Sequence, residues 1–198
     1  MGVKLVSASG GSVEINPPAT ASNFVATMPA GTGTVSVNGV SSNIVSGTAQ
    51  NSTSGTSIDF TGIPSWVRRI TVMFNGVSTN GTSDIQIQLG DSGGFETSGY
   101  TGGNGVIRNG GTSTNYAFSA GFLVSSEIAA ANNSSGIVSV CLIGSNNWSA
   151  SGVVSLNGNR TTCVGGVKTL SDTLTQVRIT TVNGTDTFDA GSINILYE

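Results

Sequence analysis

The chain has 198 residues, 37% of them hydrophobic but only 9% charged, with a formal net charge of −3. An ordinary globular chain is about 25% charged, so Ser, Thr, Asn and Gly occupy surface positions that Lys and Glu usually take. Seven basic residues with only Arg68 and Arg69 adjacent argue against phosphate-backbone binding. The absence of histidine removes Ser-His-Asp and Cys-His nucleophiles and every His-ligated metal site.

In chain order, residues 1–45 form the first organisational unit. Met1-Gly2-Val3-Lys4 opens without an apolar core of signal-peptide length, and Val6 stands where a myristoylation signal needs Ser or Thr. Val13-Glu14-Ile15 alternates, Pro17-Pro18 breaks the chain, and Phe24 to Pro29 and Gly31 to Val37 follow. The prolines forbid helix and confine any strand to an edge. Phe24, Met28, Val35 and Val37 have no local domain to cover them, so the segment is expected to be an extended attachment and oligomerisation element that packs on a partner chain. Residues 46–55, Ser46-Gly47-Thr48-Ala49-Gln50-Asn51-Ser52-Thr53-Ser54-Gly55, lack apolar periodicity and read as a linker.

A period-2 pattern then marks residues 56–198 as a C-terminal β domain. Ile58 and Phe60 flank Asp59; Ile70, Val72 and Phe74 alternate with Thr71 and Met73; Ile85, Ile87 and Leu89 alternate with Gln86 and Gln88. Further strands are predicted over 116–124, 136–143, 153–156, 175–182 and 192–197, with one helical turn at 125–131. Asn75-Gly76, Asn80-Gly81, Asn157-Gly158 and Asn183-Gly184 punctuate the pattern as turn dipeptides that tolerate positive φ. The prediction is an all-β chain, a β-sandwich of jelly-roll-like type. No apolar run of about 20 residues spans a membrane.

The chemistry left to such a chain is carboxylate or aromatic. Asp91 with Glu96, and Asp186 with Asp189, supply paired acids, the minimum for glycoside hydrolysis or a calcium site. Acid-Gly clusters in β proteins more often bond nearby backbone amides in turns, so no catalytic residue, metal or cofactor is expected. Trp66 and Tyr116 border strand patterns and read as core. Tyr100, Asn104, Asn147 and Trp148 sit in Gly/Ser/Asn-rich stretches and are the candidate ligand-binding residues, with loops 91–104 and 145–151 carrying an exposed aromatic each. Arg68-Arg69 reads as an ion-pair site. Cys141 lies in the apolar run 137–143 and is expected to be a buried reduced thiol, unpaired with Cys163.

Two stretches carry a family resemblance. Ile63-Pro64-Ser65-Trp66-Val67-Arg68-Arg69-Ile70-Thr71-Val72-Met73-Phe74-Asn75-Gly76-Val77-Ser78 and the ending from Leu174 to Glu198 resemble the C-terminal domains of tailed-bacteriophage tail fibres and related virion appendage proteins. Residues 11–35, from Gly11-Ser12-Val13-Glu14-Ile15 to Thr34-Val35, are similar to a short module that precedes such domains. The resemblance implies a homotrimer assembled in the bacterial host cytoplasm, displayed on the virion, attached to other virion proteins through residues 1–45, and binding a host surface glycan or protein without catalysis. Only about forty residues precede the linker, where a long tail fibre has a stalk. A capsid decoration protein or head fibre is the first alternative, and a glycan depolymerase acting through the acid pairs is the second.

Overall fold

The computed structural model describes residues 44–130 and 132–198, together with the backbone of two strands near the start, β1 (Val3–Val6) and β2 (Ser12–Ile15). The alternating Val13-Glu14-Ile15 falls in β2, which pairs antiparallel with β1. These strands belong to a unit covering Met1–Ser41. Phe24, Met28, Val35 and Val37, the expected partner-packing residues, lie outside the described residues.

The second unit, Ser42–Glu198, consists of two antiparallel sheets and contains no helix among the described residues. Its strands are β3 (Val45–Ser46), β4 (Gln50–Asn51), β5 (Ser57–Thr61), β6 (Arg69–Thr79), β7 (Ile85–Asp91), β8 (Gly94–Phe95), β9 (Tyr100–Arg108) and β10 (Thr114–Phe118). They continue with β11 (Phe122–Ser125), β12 (Ser134–Gly144), β13 (Asn147–Leu156), β14 (Arg160–Thr169), β15 (Gln176–Thr181) and β16 (Phe188–Tyr197). The large sheet has the order β10-β9-β14-β13-β12-β6-β16-β3, with β4 also on β16; the small sheet is β11-β7-β15-β5, with β8 on β7.

The predicted alternation explains the packing. Ile70, Val72 and Phe74 of β6, Val138 and Val140 of β12, and Val154 and Leu156 of β13 point inward from the large sheet. Ile85, Ile87 and Leu89 of β7 and Val177 and Ile179 of β15 meet them from the small sheet, and all belong to one buried cluster. This is the face-to-face arrangement of a β-sandwich.

Four local expectations are corrected. Residues 46–55 are not a free linker: Ser46 pairs with Leu196, Gln50 with Ile193 and Asn51 with Ser192, and the Ser52 hydroxyl is buried on the Ala190 carbonyl. This edge is held by backbone hydrogen bonds, which leave no apolar pattern to read. Over the described residues 125–130, the predicted helical turn at 125–131 is instead the end of β11 and a bend in which Glu127 takes φ 62°. There its carboxylate accepts bonds from Arg108 and Tyr116, and its amide donates to Asp84. The single strand expected over 116–124 is two, β10 and β11, which join different sheets. Cys141 is half-buried and Cys163 exposed; both thiols are free, as expected.

Strands β9 and β14 had no strand signal because glycine faces glycine across them: Gly102 opposite Gly166 and Gly103 opposite Gly165. The first pair makes room for the Phe118 ring, whose Cζ would lie 2.6 Å from a Cβ at Gly102 and 2.7 Å from one at Gly166. Gly166→Ala is therefore expected to lower stability by about 1–3 kcal/mol through overpacking. Urea unfolding measures it, and adding Phe118→Leu should return part of the loss. An unchanged midpoint for Gly166→Ala would refute the close-packing account.

Candidate functional site

The candidate residues separate into two groups once the strands are in place. Tyr100 is the first residue of β9 and is 2% exposed. Its ring packs edge-on to Phe122 at 5.0 Å, its hydroxyl accepts the Leu89 amide at 2.7 Å and donates to the Glu96 carbonyl at 3.0 Å. Burial pushes the phenol above its usual range, with the nearby Glu96 charge adding to the effect. Asn104 is wholly buried, and its amide nitrogen donates to the Leu123 carbonyl at 2.9 Å. Thr162 does the same for the Val124 carbonyl at 2.7 Å. Both cap backbone of β11, an edge strand of the small sheet, and so clasp one sheet to the other. The exposure expected of Tyr100 and Asn104 is thus corrected: strand alternation turns both inward.

The acid pairs are turn locks in this fold. Asp91 is buried; one carboxylate oxygen accepts the Gly93 amide at 2.8 Å, and the other accepts the Ser171 hydroxyl at 2.8 Å and the Asp172 amide at 3.0 Å. Glu96 accepts the Ser171 amide at 2.7 Å, shares the single Ser171 hydroxyl proton with Asp91 at 2.7 Å, and ion-pairs with Lys168. Burial alone would raise the Glu96 carboxyl, but its hydrogen bonds from Lys168 and Ser171 outweigh this and hold it at about 2. Asp186 accepts the Asn183 side chain and the Ser83 amide, which lower its pKa, while Asp189 accepts Ser78. Among the described residues, no group of three or more Asp, Glu or Cys side chains gathers within reach of one metal ion.

Trp148 belongs to the second group. The stretch 145–151, read as a loop, is a two-residue hairpin turn followed by β13: Ser145 and Asn146 take φ 47° and 60°, and Gly144 pairs with Asn147. Positive φ at both central positions gives the backbone twist that a tight hairpin needs. Asn147 is half-buried, and its side-chain oxygen has no hydrogen-bond partner. Trp148 is 3% exposed, so its ring face is covered rather than free for stacking.

The ring nevertheless lines a cleft of about 370 Å³, within the range of small-ligand sites. Trp148, Leu142 and Leu174 form its apolar side, and Arg68, Ser145 and Asn146 its polar side. Three segments are pinned around it. The Asn146 carbonyl accepts the Leu170 amide at 3.0 Å, the Arg68 carbonyl accepts the Leu142 amide at 2.8 Å, and the 64–67 turn closes through Val67 N–H to the Pro64 carbonyl at 3.1 Å.

Two polar groups on residues lining this cleft are left over. The Trp148 indole N–H is buried with no acceptor. The Arg68 guanidinium is exposed, bonds only the Ser65 and Val67 carbonyls at 3.1 and 3.0 Å, and has no carboxylate within 4 Å among the described residues. Its neighbour Arg69 pairs with Glu198. The ion-pair expectation for the two arginines thus holds for one of them. Sequence reasoning missed Arg68 because adjacent strand-flanking arginines look alike until the C-terminal carboxylate side chain is placed beside one of them. Trp66, expected in the core, is 43% exposed and packs one side on Tyr197 at 5.9 Å between ring centres. Comparison with family models, curated proteins and solved structures finds no match for this chain.

Proposed function

We propose that the chain is a structural and adhesive component of a tailed-bacteriophage particle, a homotrimeric tail fibre or fibre-like appendage with a jelly-roll-like sandwich that binds the host cell surface. The observation that supports adhesion is the cleft under the β12–β13 turn. It sets one unpaired guanidinium among hydroxyl, amide and apolar walls on a surface otherwise poor in charge. Those groups suit a hydroxylated, carboxylate-bearing ligand, which Arg68 can hold by paired hydrogen bonds. The resemblance of residues 63–78 and 174–198 to virion appendage domains supports the setting.

Adsorption of the purified protein to host cells tests the reading. Arg68→Ala should weaken binding about tenfold, the loss of about 1.4 kcal/mol, while the fold stays intact because Arg68 is exposed. Equal binding by the variant and the parent would remove the cleft from the account. Electron microscopy of the particle adds the location: density at the tail supports adhesion, and density on the capsid supports decoration. Shortening of a host polysaccharide that Asp91→Asn abolishes would instead identify a depolymerase.

A further inference from the structure

The two outer faces of the sandwich differ in chemistry. On the small sheet, the outward positions around β5, β7 and β15 carry Asp59, Gln86, Gln88, Arg178 and Thr180, with Arg178 and Asp59 paired at 2.7–2.8 Å. The outer face of the large sheet is nearly uncharged. Its central cross-strand row reads Met73, Ile137, Val153, Cys163 and Gly105 across β6, β12, β13, β14 and β9. The next row reads Thr71, Ser139, Ser151, Gly165 and Gly103. Ile107 and Val167 lie in the rows beyond.

Ile107, Ile137, Val153 and Val167 are each 41–53% exposed, which puts half of the large exposed apolar side chains among the described residues on this one face. Charge enters these rows only at their border, as the Arg69–Glu198 pair. Scattered exposed apolar residues are ordinary, whereas a contiguous, uncharged patch marks an interaction surface.

We infer that this face is where copies of this chain pack together, with the Ile137–Val153 row facing the symmetry axis. The inference rests on the homotrimer in the proposed function and names the surface that builds it. Three features select a second copy as occupant. Identical faces that approach one another oppose like charges unless the face carries none. The relief is self-complementary, because an apolar ridge runs beside a trough of Ser139, Ser151 and Gly165, closed at the Gly103 end by the Asn115 side chain, that can receive a neighbour's ridge. The extent is substantial: five strands by four rows cover on the order of 600 Å² in plan from strand spacing and rise. Shared between two neighbours in a trimer, it supplies part of the roughly 800 Å² each partner gives to one stable interface.

Cys163 provides an internal reporter, since it is exposed within the row, beside Val153. It cannot be shielded by a bridge to Cys141, two strands and four residues away, because that separation is about 10 Å across and 13 Å along the sheet, well beyond disulfide reach.

The experiment uses the full chain, with light scattering for mass and maleimide labelling followed by peptide mass spectrometry for Cys163. The parent is expected to have three times the 19.8 kDa chain mass and to label slowly at Cys163. Ile137→Asp with Val153→Asp should yield a folded monomer by circular dichroism, labelling at least tenfold faster. Ser151→Arg, which places a charge in the trough without touching the core, should do the same and decides the matter should the double variant fail to fold. A trimeric parent whose Cys163 labels freely, or a Ser151→Arg variant that stays trimeric, overturns the face while leaving the homotrimer standing. A monomeric parent overturns the homotrimer and the inference with it.

Discussion

Replacing Lys168 by Met is expected to destabilise the domain by about 3–5 kcal/mol, the usual result of stripping one partner from a buried ion pair. Lys168 is 5% exposed and points into the sandwich from β14, where its ammonium meets the Glu96 carboxylate and lies 5.3 Å from the centre of the Tyr100 ring. Removing it leaves Glu96 charged and short of a partner, and loosens Ser171 and Asp91, which share its hydrogen bonds. Because the Glu96 side chain keeps 22% exposure, water can reach it and the loss should fall toward the lower end of the range. Urea unfolding measures the change, and the double variant Lys168→Met, Glu96→Gln should recover part of it by removing the stranded charge. A loss below about 1 kcal/mol would show that the pair carries little in this fold.

The same pair sets an acid dependence. Folding lowers the Glu96 pKa from 4.5 to about 2, so the folded state gains stability from this group above pH 4.5 and loses it as pH falls toward 2. Stability of the parent should decline through that window. Glu96→Gln should be less stable at neutral pH, and its decline should be shallower.

Trp148→Ala is expected to cost about 3–5 kcal/mol, the range for deleting a buried aromatic. Trp148 is 3% exposed and belongs to the central cluster, so its removal opens a cavity rather than trimming a surface ring. The variant consequently cannot serve as a simple adhesion test, although its location in a Ser/Asn/Gly stretch suggested one. Trp148→Phe separates packing from polarity. The indole N–H is buried without an acceptor, so losing it removes an unsatisfied donor. Trp148→Phe should therefore cost well under half of what Trp148→Ala costs. Equal losses in the two variants would show that the N–H is bonded in solution, for instance to an ordered internal water.

The sequence by itself determined the class of fold and the main core. Alternation at Ile70, Val72, Phe74 and at Ile85, Ile87, Leu89 has only one physical solution, a strand with one face buried, and those side chains line the facing sheets. It also carried the turn at Asn157-Gly158, where φ values of 47° and 71° are ones these residue types tolerate. Tertiary structure decided the rest. Strands β9 and β14 became legible only when Gly102 met Gly166 under Phe118, because a glycine pair has no side-chain period to display. Residues 45–52 joined the large sheet mainly through backbone bonds, with the Ser52 hydroxyl on the Ala190 carbonyl, which composition does not encode. The site changed for the same reason. Tyr100, Asn104 and Trp148 stand in polar surroundings in the sequence, yet each falls on the inward phase of a strand, and that phase was hidden by its small neighbours. The long-range placement of Glu198 beside Arg69, and not Arg68, then left one guanidinium free at the cleft, a distinction made by contacts across more than a hundred residues of chain.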